Sequence, residues 1–234
     1  MCIRDSVYPA LKGEAGFQLG PIDLTINRGE VTYLVGGNGS GKTTLARLLS
    51  LHYITEKGHI YFDDQVVTDH NRNACRKSIS AIYSDFYLFP KLFGMSDIEL
   101  DSRAAEYLKQ LGLEGKVTIK DGEFSTTDLS DGQKKRLALL VSFLEDRSIY
   151  VFDEWAADQD PSFKEIFYHS ILPRLKALNK MVIVITHDDR YFHLADKLVR
   201  MEDGKILEED AFKKMEEMEK METIKHAEET ESAI

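Results

Sequence analysis

The feature that most limits what this chain can fold into is a glycine-rich stretch, GGNGSGKT at residues 36–43, which fits the pattern G-x-x-x-x-G-K-[ST]. A strand-like apolar run precedes it at residues 31–35, and a helix-like run follows at residues 42–50. Glycine tolerates backbone conformations that other residues avoid, so successive N–H groups can turn inward around a polyphosphate. The helix N-terminus adds roughly half a positive charge. The stretch predicts a nucleotide site, with a glycine-rich turn as the alternative.

Individual residues of this stretch have predicted roles toward ATP. Lys42 is expected to reach the β- and γ-phosphates as a point charge, and the Thr43 hydroxyl is expected to ligate the accompanying Mg²⁺. The predicted phosphate-binding set is Gly36, Asn38, Gly39, Ser40, Gly41, Lys42, Thr43 and Thr44.

Length and composition indicate a soluble globular protein. At 234 residues and 43% hydrophobic content the chain can bury a full core, and its net charge of −10 argues against nucleic acid as a partner. Ten acidic residues and four lysines fall in residues 208–234, so much of that charge belongs to a tail. The apolar run at residues 181–185 is far shorter than the ~20 residues of a membrane span. Cys2 and Cys75 have no metal-type spacing with histidine, so free thiols in a reducing compartment are expected and no zinc site.

The apolar pattern predicts strands that alternate with helices. Residues 22–26 alternate as in a half-buried strand, and residues 59–67 indicate a hairpin. The runs at residues 149–152 and 181–185 are short and wholly apolar, which is typical of strands buried on both faces of a parallel sheet. Apolar residues at helical spacing separate them, at Leu137, Leu140, Val141 and Leu144, and later at Phe163, Ile166, Phe167 and Ile171. The alternation predicts an α/β fold.

Two regions depart from this alternation. Residues 86–130 are expected to be a small helical insertion, with its clearest helix at residues 103–111. Residues 198–207 predict a hairpin with an Asp-Gly turn, which ends a domain that spans residues 7–207. The tail, residues 208–234, is expected to be a marginal amphipathic helix or a solvated segment, since apolar residues recur every three positions at Phe212, Met215, Met218, Met221 and Ile224.

A pair of acidic residues ends one of the apolar runs. Residues 149–152 lead directly into Asp153 and Glu154, which places both carboxylates at the carboxyl end of a buried strand, where α/β sheets bind ligands. Asp153 is expected to hold Mg²⁺ through its water shell, and Glu154 to orient or deprotonate the attacking water. A solvated strand end is the alternative for such a pair alone. Downstream of a phosphate loop the catalytic interpretation is favoured.

A Leu-Ser-Asp-Gly-Gln run at residues 129–133 opens a predicted amphipathic helix. Ser130 is well placed as its N-cap. Capping is compatible with function, because a helix N-terminus that exposes a hydroxyl and a glycine suits a γ-phosphate presented by an opposing surface.

The chain resembles the ATPase domain of ATP-binding cassette (ABC) transporters in the order of its motifs. These are the phosphate loop, residues 129–133, the acidic pair, and His187 after a buried strand. The resemblance covers about residues 7–207. It implies a P-loop NTPase core of the ABC type with a small antiparallel β subdomain and a helical insertion. It also implies a head-to-tail homodimer that holds each ATP between the phosphate loop of one subunit and Ser130, Gly132 and Gln133 of the other.

The resemblance also implies roles for single residues. Tyr8 lies where an aromatic residue stacks on adenine, with a hydrophobic anchor as the alternative. His187 corresponds to a histidine that contacts the γ-phosphate. Asp160 matches an aspartate in a loop that crosses between subunits, although an N-cap before Pro161 fits equally well. Residues 1–6 match no element of the family and are expected to be extraneous to the domain.

Two positions depart from the family's pattern. Ser84 and Asp85 follow the predicted strand at residues 80–83, where the family has a Gln. Asp85 is predicted to replace that Gln as an oxygen ligand of Mg²⁺ and as the link to the helical insertion. Asp131 stands where glycine is usual, so its charge either weakens closure on the triphosphate or points outward.

Several segments resemble more narrowly the cassettes of cyclic-peptide and siderophore exporters, such as those for pyoverdine and syringomycin, at residues 20–24, 84–89, 124–130, 152–161 and 187–192. This likeness implies a C-terminal cassette of a half-transporter at the cytoplasmic face of the inner membrane, with the transmembrane domain outside this sequence. Two alternatives stay open. One is a soluble ABC ATPase of translation or DNA repair, a class that usually has two cassettes or a long coiled coil. The other is a regulatory module that binds ATP without hydrolysing it.

Overall fold

The computed structural model describes residues 1–8, 18–92 and 100–210. Within these ranges the strands are β1 (Cys2–Tyr8), β2 (Leu19–Thr25), β3 (Val31–Val35), β4 (Lys57–Phe62), β5 (Gln65–Val66), β6 (Ile79–Ile82), β7 (Ile119–Lys120), β8 (Glu123–Phe124), β9 (Ile149–Asp153), β10 (Met181–Ile185), β11 (Lys197–Glu202) and β12 (Lys205–Asp210). The α-helices are α1 (Lys42–Leu49), α2 (Arg72–Arg76), α3 (Leu100–Gln110), α4 (Asp131–Glu145), α5 (Pro161–Ile166) and α6 (Leu172–Ala177). A π-helical turn, Phe167–Ile171, joins α5 to α6, and a 3₁₀ helix covers Asp189–Leu194.

A mostly parallel sheet forms the centre of the fold. Its strand order among the described residues is β12-β11-β3-β10-β9-β6, and only β12 runs antiparallel to its neighbour. Every residue of β3, β9 and β10 is buried, as the uninterrupted apolar runs predict. The α/β fold of the P-loop type is thereby confirmed. The carboxyl ends of these three strands lie side by side, which fixes where the site must be.

Alternate residues of the central strands face two different cores. Tyr33, Phe152 and Val182 belong to one core, which includes buried residues of α3, α4 and α6. Leu34 and Ile183 belong to the other, which includes α1 and the strands of the second sheet. Each such apolar side chain contributes about 1.5–3 kcal/mol when fully buried. The sheet is therefore held firmly on both faces, and its strand ends are rigid supports.

The second sheet is antiparallel, in the order β2-β1-β4-β5. It includes the predicted hairpin, now β4 and β5. The expectation that residues 1–6 are extraneous is wrong, because β1 pairs with both β2 and β4 and buries Ile3 completely. The pattern of β1 is hard to read from sequence because its register shifts between Ile3 and Ser6, with Asp5 in the left-handed conformation at φ 46°.

The insertion expected at residues 86–130 is only partly helical. Helix α3 begins three residues before the predicted helix at 103–111, and buries Ala104 and Leu108. The strands β7 and β8 form a short antiparallel hairpin in the same region, so the insertion contains a hairpin beside its helix. Two-residue strands are too short to produce an alternating apolar pattern.

The C-terminal hairpin, β11 with β12, is confirmed, but β12 extends to Asp210. Residues 208–210 therefore belong to the sheet and not to the predicted tail. Phe212, Met215, Met218, Met221 and Ile224, the apolar positions of that tail, lie outside the described residues. Within the described ranges, no helix combines the length and the apolarity needed to cross a membrane.

Candidate active site

The phosphate loop connects β3 to α1, as the sequence predicts. Lys42, the first residue of α1, is buried, and its Nζ donates hydrogen bonds to the carbonyl oxygens of Gly36 and Gly37, each at 2.8 Å. Burial lowers the pKa of Lys42. Gly36 has φ 145°, and a Cβ there would overlap the carbonyl oxygen of Met201. The conformation of the loop thus requires glycine at residue 36, and the loop carbonyl oxygens hold the Lys42 ammonium.

A cavity of about 330 Å³ opens above the loop. Its lining joins most of the predicted phosphate-binding set to the predicted catalytic carboxylate, and consists of Asn38, Gly39, Gly41, Lys42, Thr43, Thr44 and Glu154. The structure therefore brings the two separate sequence motifs to one cavity.

Asp153 ends β9 beside the loop and is buried. Its Oδ1 lies 3.4 Å from the Thr43 hydroxyl, whereas its Oδ2 is buried with no hydrogen-bond partner among the described residues. Burial raises the pKa of the Asp153 carboxyl. A buried carboxylate oxygen without a partner is unfavourable unless something else satisfies it. A hydroxyl and a carboxylate are hard oxygen donors that suit Mg²⁺.

Glu154 and His187 follow two neighbouring strands and meet at their carboxyl ends. The Glu154 N–H donates to the Ile185 carbonyl oxygen at 3.1 Å, and Glu154 Oε1 lies 3.0 Å from His187 Nε2. Both side chains are partly exposed to solvent. The pair can therefore approach a ligand in the cavity while the strands beneath it stay fixed.

Contacts that the sequence analysis missed hold the segment around His187. The Thr186 hydroxyl accepts a hydrogen bond from the Asp188 N–H at 3.1 Å and lies 2.8 Å from the Tyr168 hydroxyl. Asp188 pairs with Arg190 at 2.7 Å, and this partner lowers the pKa of its carboxyl. The acidic and basic residues after His187 in the sequence were the available signal.

Ser130 is the N-cap of α4. Its Oγ accepts a hydrogen bond from the Gln133 N–H at 3.4 Å, and its own N–H donates to Gln133 Oε1 at 3.3 Å, so the two residues form a capping box. The Asp131 side chain is 86% exposed and lies 3.7 Å from Lys134. In the single chain the Asp131 carboxylate therefore points outward, and its effect on closure around a triphosphate stays open.

The loop after β9 packs against the start of α4. A Cβ at Gly132 would lie 2.7 Å from the Asp158 carbonyl oxygen, so this close approach requires glycine. Gln159 Nε2 donates to the Gly132 carbonyl oxygen at 3.1 Å, and Arg136 both donates to Gln159 Oε1 at 2.8 Å and pairs with Asp160. The position Asp158–Asp160 is therefore set by α4.

Asp160 is the N-cap of α5, since its Oδ1 accepts a hydrogen bond from the Phe163 N–H at 3.0 Å. Hydrogen bonds from Ser162 and Phe163 and the partner Arg136 lower the pKa of Asp160 to about 2. The capping alternatives for Ser130 and Asp160 are thus both realised. Within the described ranges, no hydrogen bond or ion pair joins Ser130, Gly132, Gln133 or Asp160 to the phosphate loop.

Tyr8 stacks on another aromatic ring. Its ring lies 4.8 Å from that of Tyr53, with an interplanar angle of 8°. Arg47 donates to the Tyr53 hydroxyl at 3.0 Å and pairs with Asp85, also at 3.0 Å. Asp85, the third predicted metal ligand, is 69% exposed and has a cationic partner that the sequence did not reveal. Its role toward Mg²⁺ stays a prediction.

The sequence model of the ABC transporter family matches residues 19–157. The chain belongs to the ABC transporter family. The ATP-binding protein SyrD of Pseudomonas syringae pv. syringae is 51% identical over 203 residues, which cover 86% of this chain and 36% of SyrD. The putative hemin import ATP-binding protein HrtA of Staphylococcus aureus strain Newman is 30% identical over 200 residues, which cover 79% of this chain and 88% of HrtA.

Solved ABC structures share the fold of this chain. A dimeric ATP-binding cassette, MJ0796 bound to ADP and Pi, superposes with a TM-score of 0.78 at 22% identity, covering 90% of this chain and 98% of MJ0796. A bacterial Atm1-family ABC exporter with ATP bound gives a TM-score of 0.72 at 21% identity, covering 92% of this chain and 39% of the exporter. This chain thus spans about a third of the length of SyrD. It is an ABC ATPase domain, and ATP is its nucleotide.

Proposed function

We propose that this ABC domain hydrolyses Mg-ATP to power export of a cyclic peptide or siderophore by a transmembrane domain, at the cytoplasmic face of the inner membrane. The 51% identity to SyrD and the exporter-like segments of the sequence support the cargo class. One observation carries the catalytic part: Lys42, Thr43, Asp153, Glu154 and His187 converge at the carboxyl ends of β3, β9 and β10.

The residues at these strand ends have different roles in phosphoryl transfer. Glu154 orients a water molecule and takes its proton as the water oxygen attacks the γ-phosphorus. The bond from that phosphorus to the oxygen bridging to the β-phosphate breaks, and ADP leaves with the electron pair. Lys42 and His187 supply positive charge or hydrogen bonds to the phosphate oxygens. His187 is suited to this because it lies 3.0 Å from Glu154 on the neighbouring strand end.

Thr43 and Asp153 would hold Mg²⁺, because Asp153 Oδ2, which is buried and has no partner in the described part of the chain, needs a positive or donating neighbour. Bound Mg²⁺ supplies charge neutralisation at the β- and γ-phosphate oxygens. Asp85 is proposed as a further contact to the metal site. Its ion-pair partner Arg47, at 3.0 Å, belongs to α1, the helix that begins at Lys42, which supports this proposal.

We further propose that two copies assemble head to tail, with ATP between the phosphate loop of one and Ser130, Gly132 and Gln133 of the other. Asp160 would face the opposite subunit, and Tyr8 would stack on adenine. The exposed N-terminus of α4, which has no bond to its own phosphate loop among the described residues, supports this arrangement. The dimeric state of MJ0796 is consistent with it.

A groove of about 820 Å³ offers a place for the transmembrane domain. Strand β6, helix α4 and the aromatic segment 86–89 line it, and Tyr87 and Phe89 expose large apolar surfaces. An amphipathic helix of the transmembrane domain is the proposed occupant, since such grooves suit an apolar helix face. The groove supports transport coupling over the alternative of a soluble ABC ATPase.

The variant Glu154→Gln tests the catalytic assignment. It is expected to bind ATP like the parent, to lose about 10²-fold or more of its turnover, and to elute as a dimer in Mg-ATP because the nucleotide stays uncleaved. Phosphate release and size-exclusion chromatography measure both effects. Glu114→Gln, at an exposed position, is the matched control and should behave like the parent. Parent-level turnover in Glu154→Gln, or a monomer in Mg-ATP, would refute the corresponding part of the proposal.

A further inference from the structure

A lysine buried in the first turns of α4 contacts the backbone of the proposed catalytic residue. The Lys135 side chain is only 5% exposed, and its Nζ donates to the Glu154 carbonyl oxygen at 3.0 Å and pairs with Asp158 Oδ2 at 2.7 Å. Buried lysines are rare unless they are paired. Both partners of this ammonium lie in the segment that follows β9, so the lysine joins α4 to that segment.

The backbone of Glu154 is held at both ends. Glu154 has φ 50°, a left-handed conformation that is uncommon for residues other than glycine. Its N–H donates to the Ile185 carbonyl oxygen, and its carbonyl oxygen accepts hydrogen bonds from Lys135 Nζ at 3.0 Å and from the Ala157 N–H at 3.1 Å. A conformation of this kind persists where surrounding contacts determine it. Because the backbone torsions set the direction of the Cα–Cβ bond, these contacts also constrain where the Glu154 carboxylate can lie.

A second contact joins the same two segments in the opposite direction. The fully buried Trp155 donates from Nε1 to the Lys135 carbonyl oxygen at 2.9 Å. Lys135 is therefore bound through its side chain to Glu154 and Asp158, and through its main chain to Trp155. The start of α4 and the residue proposed as base form one connected unit.

We infer that Lys135 is a positioning residue for ATP hydrolysis, which fixes the backbone of Glu154 and thereby aims its carboxylate at the attacking water. This inference rests on the proposed role of Glu154. It also gives a physical connection between α4, the helix capped by Ser130, and the catalytic carboxylate of the same subunit.

The neighbouring Lys134 provides a matched control. It is the same residue type one position earlier in α4, but its side chain is 38% exposed and its ion-pair partner is the exposed Asp131. The contacts from Arg136 to Gln159 and Asp160 involve neither lysine, so the loop after β9 is expected to keep an anchor on α4 in variants of either one.

The test compares Lys135→Met with Lys134→Met in steady-state ATP hydrolysis. Lys135→Met is expected to lower kcat by about tenfold to a hundredfold, the effect of a slightly misplaced catalytic group. KM and the affinity for a fluorescent ATP analogue should change by less than about twofold, because the phosphate loop is untouched. Lys134→Met should match the parent. Lys135→Arg, which keeps charge and donors, should recover most of the lost kcat.

A double variant separates positioning from a merely structural role. If Lys135 acts through the Glu154 carboxylate, Lys135→Met should reduce turnover no further in a Glu154→Gln background, as measured in single turnovers with radiolabelled ATP. A loss that persists in that background, or a parent-level kcat in Lys135→Met, overturns the inference. Parent-level turnover in Glu154→Gln alone would instead refute the proposed base.

Asp158→Asn keeps the test decisive if Lys135→Met folds poorly. The Asp158 side chain is 54% exposed, so an amide is tolerated there, and it weakens the anchor of Lys135 without removing the lysine. A kcat reduced by about threefold, with parent-like ATP affinity, supports the inference, since exposed ion pairs are individually weak. An unchanged kcat contradicts it.

Discussion

The two edges proposed to meet around ATP are built in different ways. At the phosphate edge, Lys42 and Asp153 are buried and the groups that surround them come from the same chain. At the N-terminus of α4, Ser130 and Asp131 are exposed, and their contacts are to their own helix. The first edge is prepared within one subunit. The second is a polar surface with a positive helix end, which would contact a ligand that is bound by another copy of the chain.

This difference follows from how each edge is made. The polar residues of the phosphate edge lie at or after the carboxyl ends of buried strands, so this edge is fixed by the packing of β3, β9 and β10. The free N–H groups of a helix N-terminus are satisfied by nearby side chains, by water or by a ligand. In the single chain Ser130 meets part of that need. A γ-phosphate from a second copy would meet more of it.

The variant Ser130→Asp is expected to have the largest effect, and it tests whether the N-terminus of α4 contacts a γ-phosphate. Aspartate caps helices about as well as serine, so thermal stability should stay close to that of the parent. Its negative charge would oppose a γ-phosphate at the same helix end, so turnover should fall about 10²-fold or more, comparable with the loss of a transition-state donor. Melting temperature and phosphate release measure the two effects.

Complementation supplies the control for that result. Inactive Ser130→Asp mixed with inactive Lys42→Met should regain activity, because one site of the mixed dimer has both an intact Lys42 and an intact Ser130. Ser130→Ala should lose about 1 kcal/mol of stability through the missing cap. If mixing restores nothing while dimers form, the site does not combine the two edges.

Asp153→Asn sharpens the description of the buried edge. Burial raises the pKa of Asp153 above its ordinary value of 3.8, so between those two pKa values the folded protein keeps a proton that the unfolded chain has lost. The free energy of unfolding therefore falls as pH rises through that range. The nucleotide-free variant should melt at a higher temperature than the parent at pH 7, although its Mg-dependent turnover falls about tenfold or more.

A carboxylate of opposite behaviour is the control for Asp153. The Arg190 partner lowers the pKa of Asp188, so ionised Asp188 stabilises the fold at neutral pH. Asp188→Asn should therefore melt at a lower temperature than the parent. The gain in Asp153→Asn should shrink as pH falls toward 3.8, where the parent carboxyl is also neutral. A lower melting temperature for Asp153→Asn at pH 7 would contradict the account.

Features that are local in the sequence were predictable, whereas contacts between distant segments were not. The apolar runs predict β3, β9 and β10, and the motifs that follow them mark the residues of the phosphate edge. These features are local, since strand burial and the polar residue at a strand end are adjacent in the chain. The cap at Ser130 is local as well, and its type was foreseen.

Contacts between distant segments were not predictable from pattern. The strand β1 has a shifted register, and the hairpin of β7 and β8 is too short for periodicity. The pairs Arg47 with Asp85 and Lys135 with Asp158 join residues far apart in sequence. Lys135 did leave a signal, because it lies four residues before the buried Leu139 on the inner face of α4.

Asp85→Ala tests whether Asp85, an exposed residue after β6, contributes to Mg²⁺ binding. Removing the carboxylate is expected to raise the Mg²⁺ concentration for half-maximal hydrolysis by about threefold, because a carboxylate attracts Mg²⁺ more strongly than a neutral group. Metal-free ATP binding should stay nearly unchanged. Arg47→Gln removes the partner of Asp85 but keeps the carboxylate, so its Mg²⁺ titration should overlay the parent. Matching shifts in both variants would assign Asp85 to its ion pair alone.

The smallest effects are expected from the acidic tail. Truncation after Asp210 removes residues 211–234, which include no residue proposed for either edge, so ATPase activity should stay within about twofold of the parent. A loss of activity with intact folding would mean that the removed segment contributes to the cassette or to a partner.

Truncation after Leu207 is the matched comparison for that variant. It also removes residues 208–210, which pair with β11, and with them the 2.7 Å contact between Glu209 and Lys197. Backbone hydrogen bonds contribute about 1 kcal/mol each, so this shorter chain should melt at a measurably lower temperature. Its activity at 25 °C should match that of the variant that ends at Asp210, because β12 is an edge strand and the phosphate loop follows β3. Equal melting temperatures for the two truncations would show that the end of β12 adds nothing to the sheet.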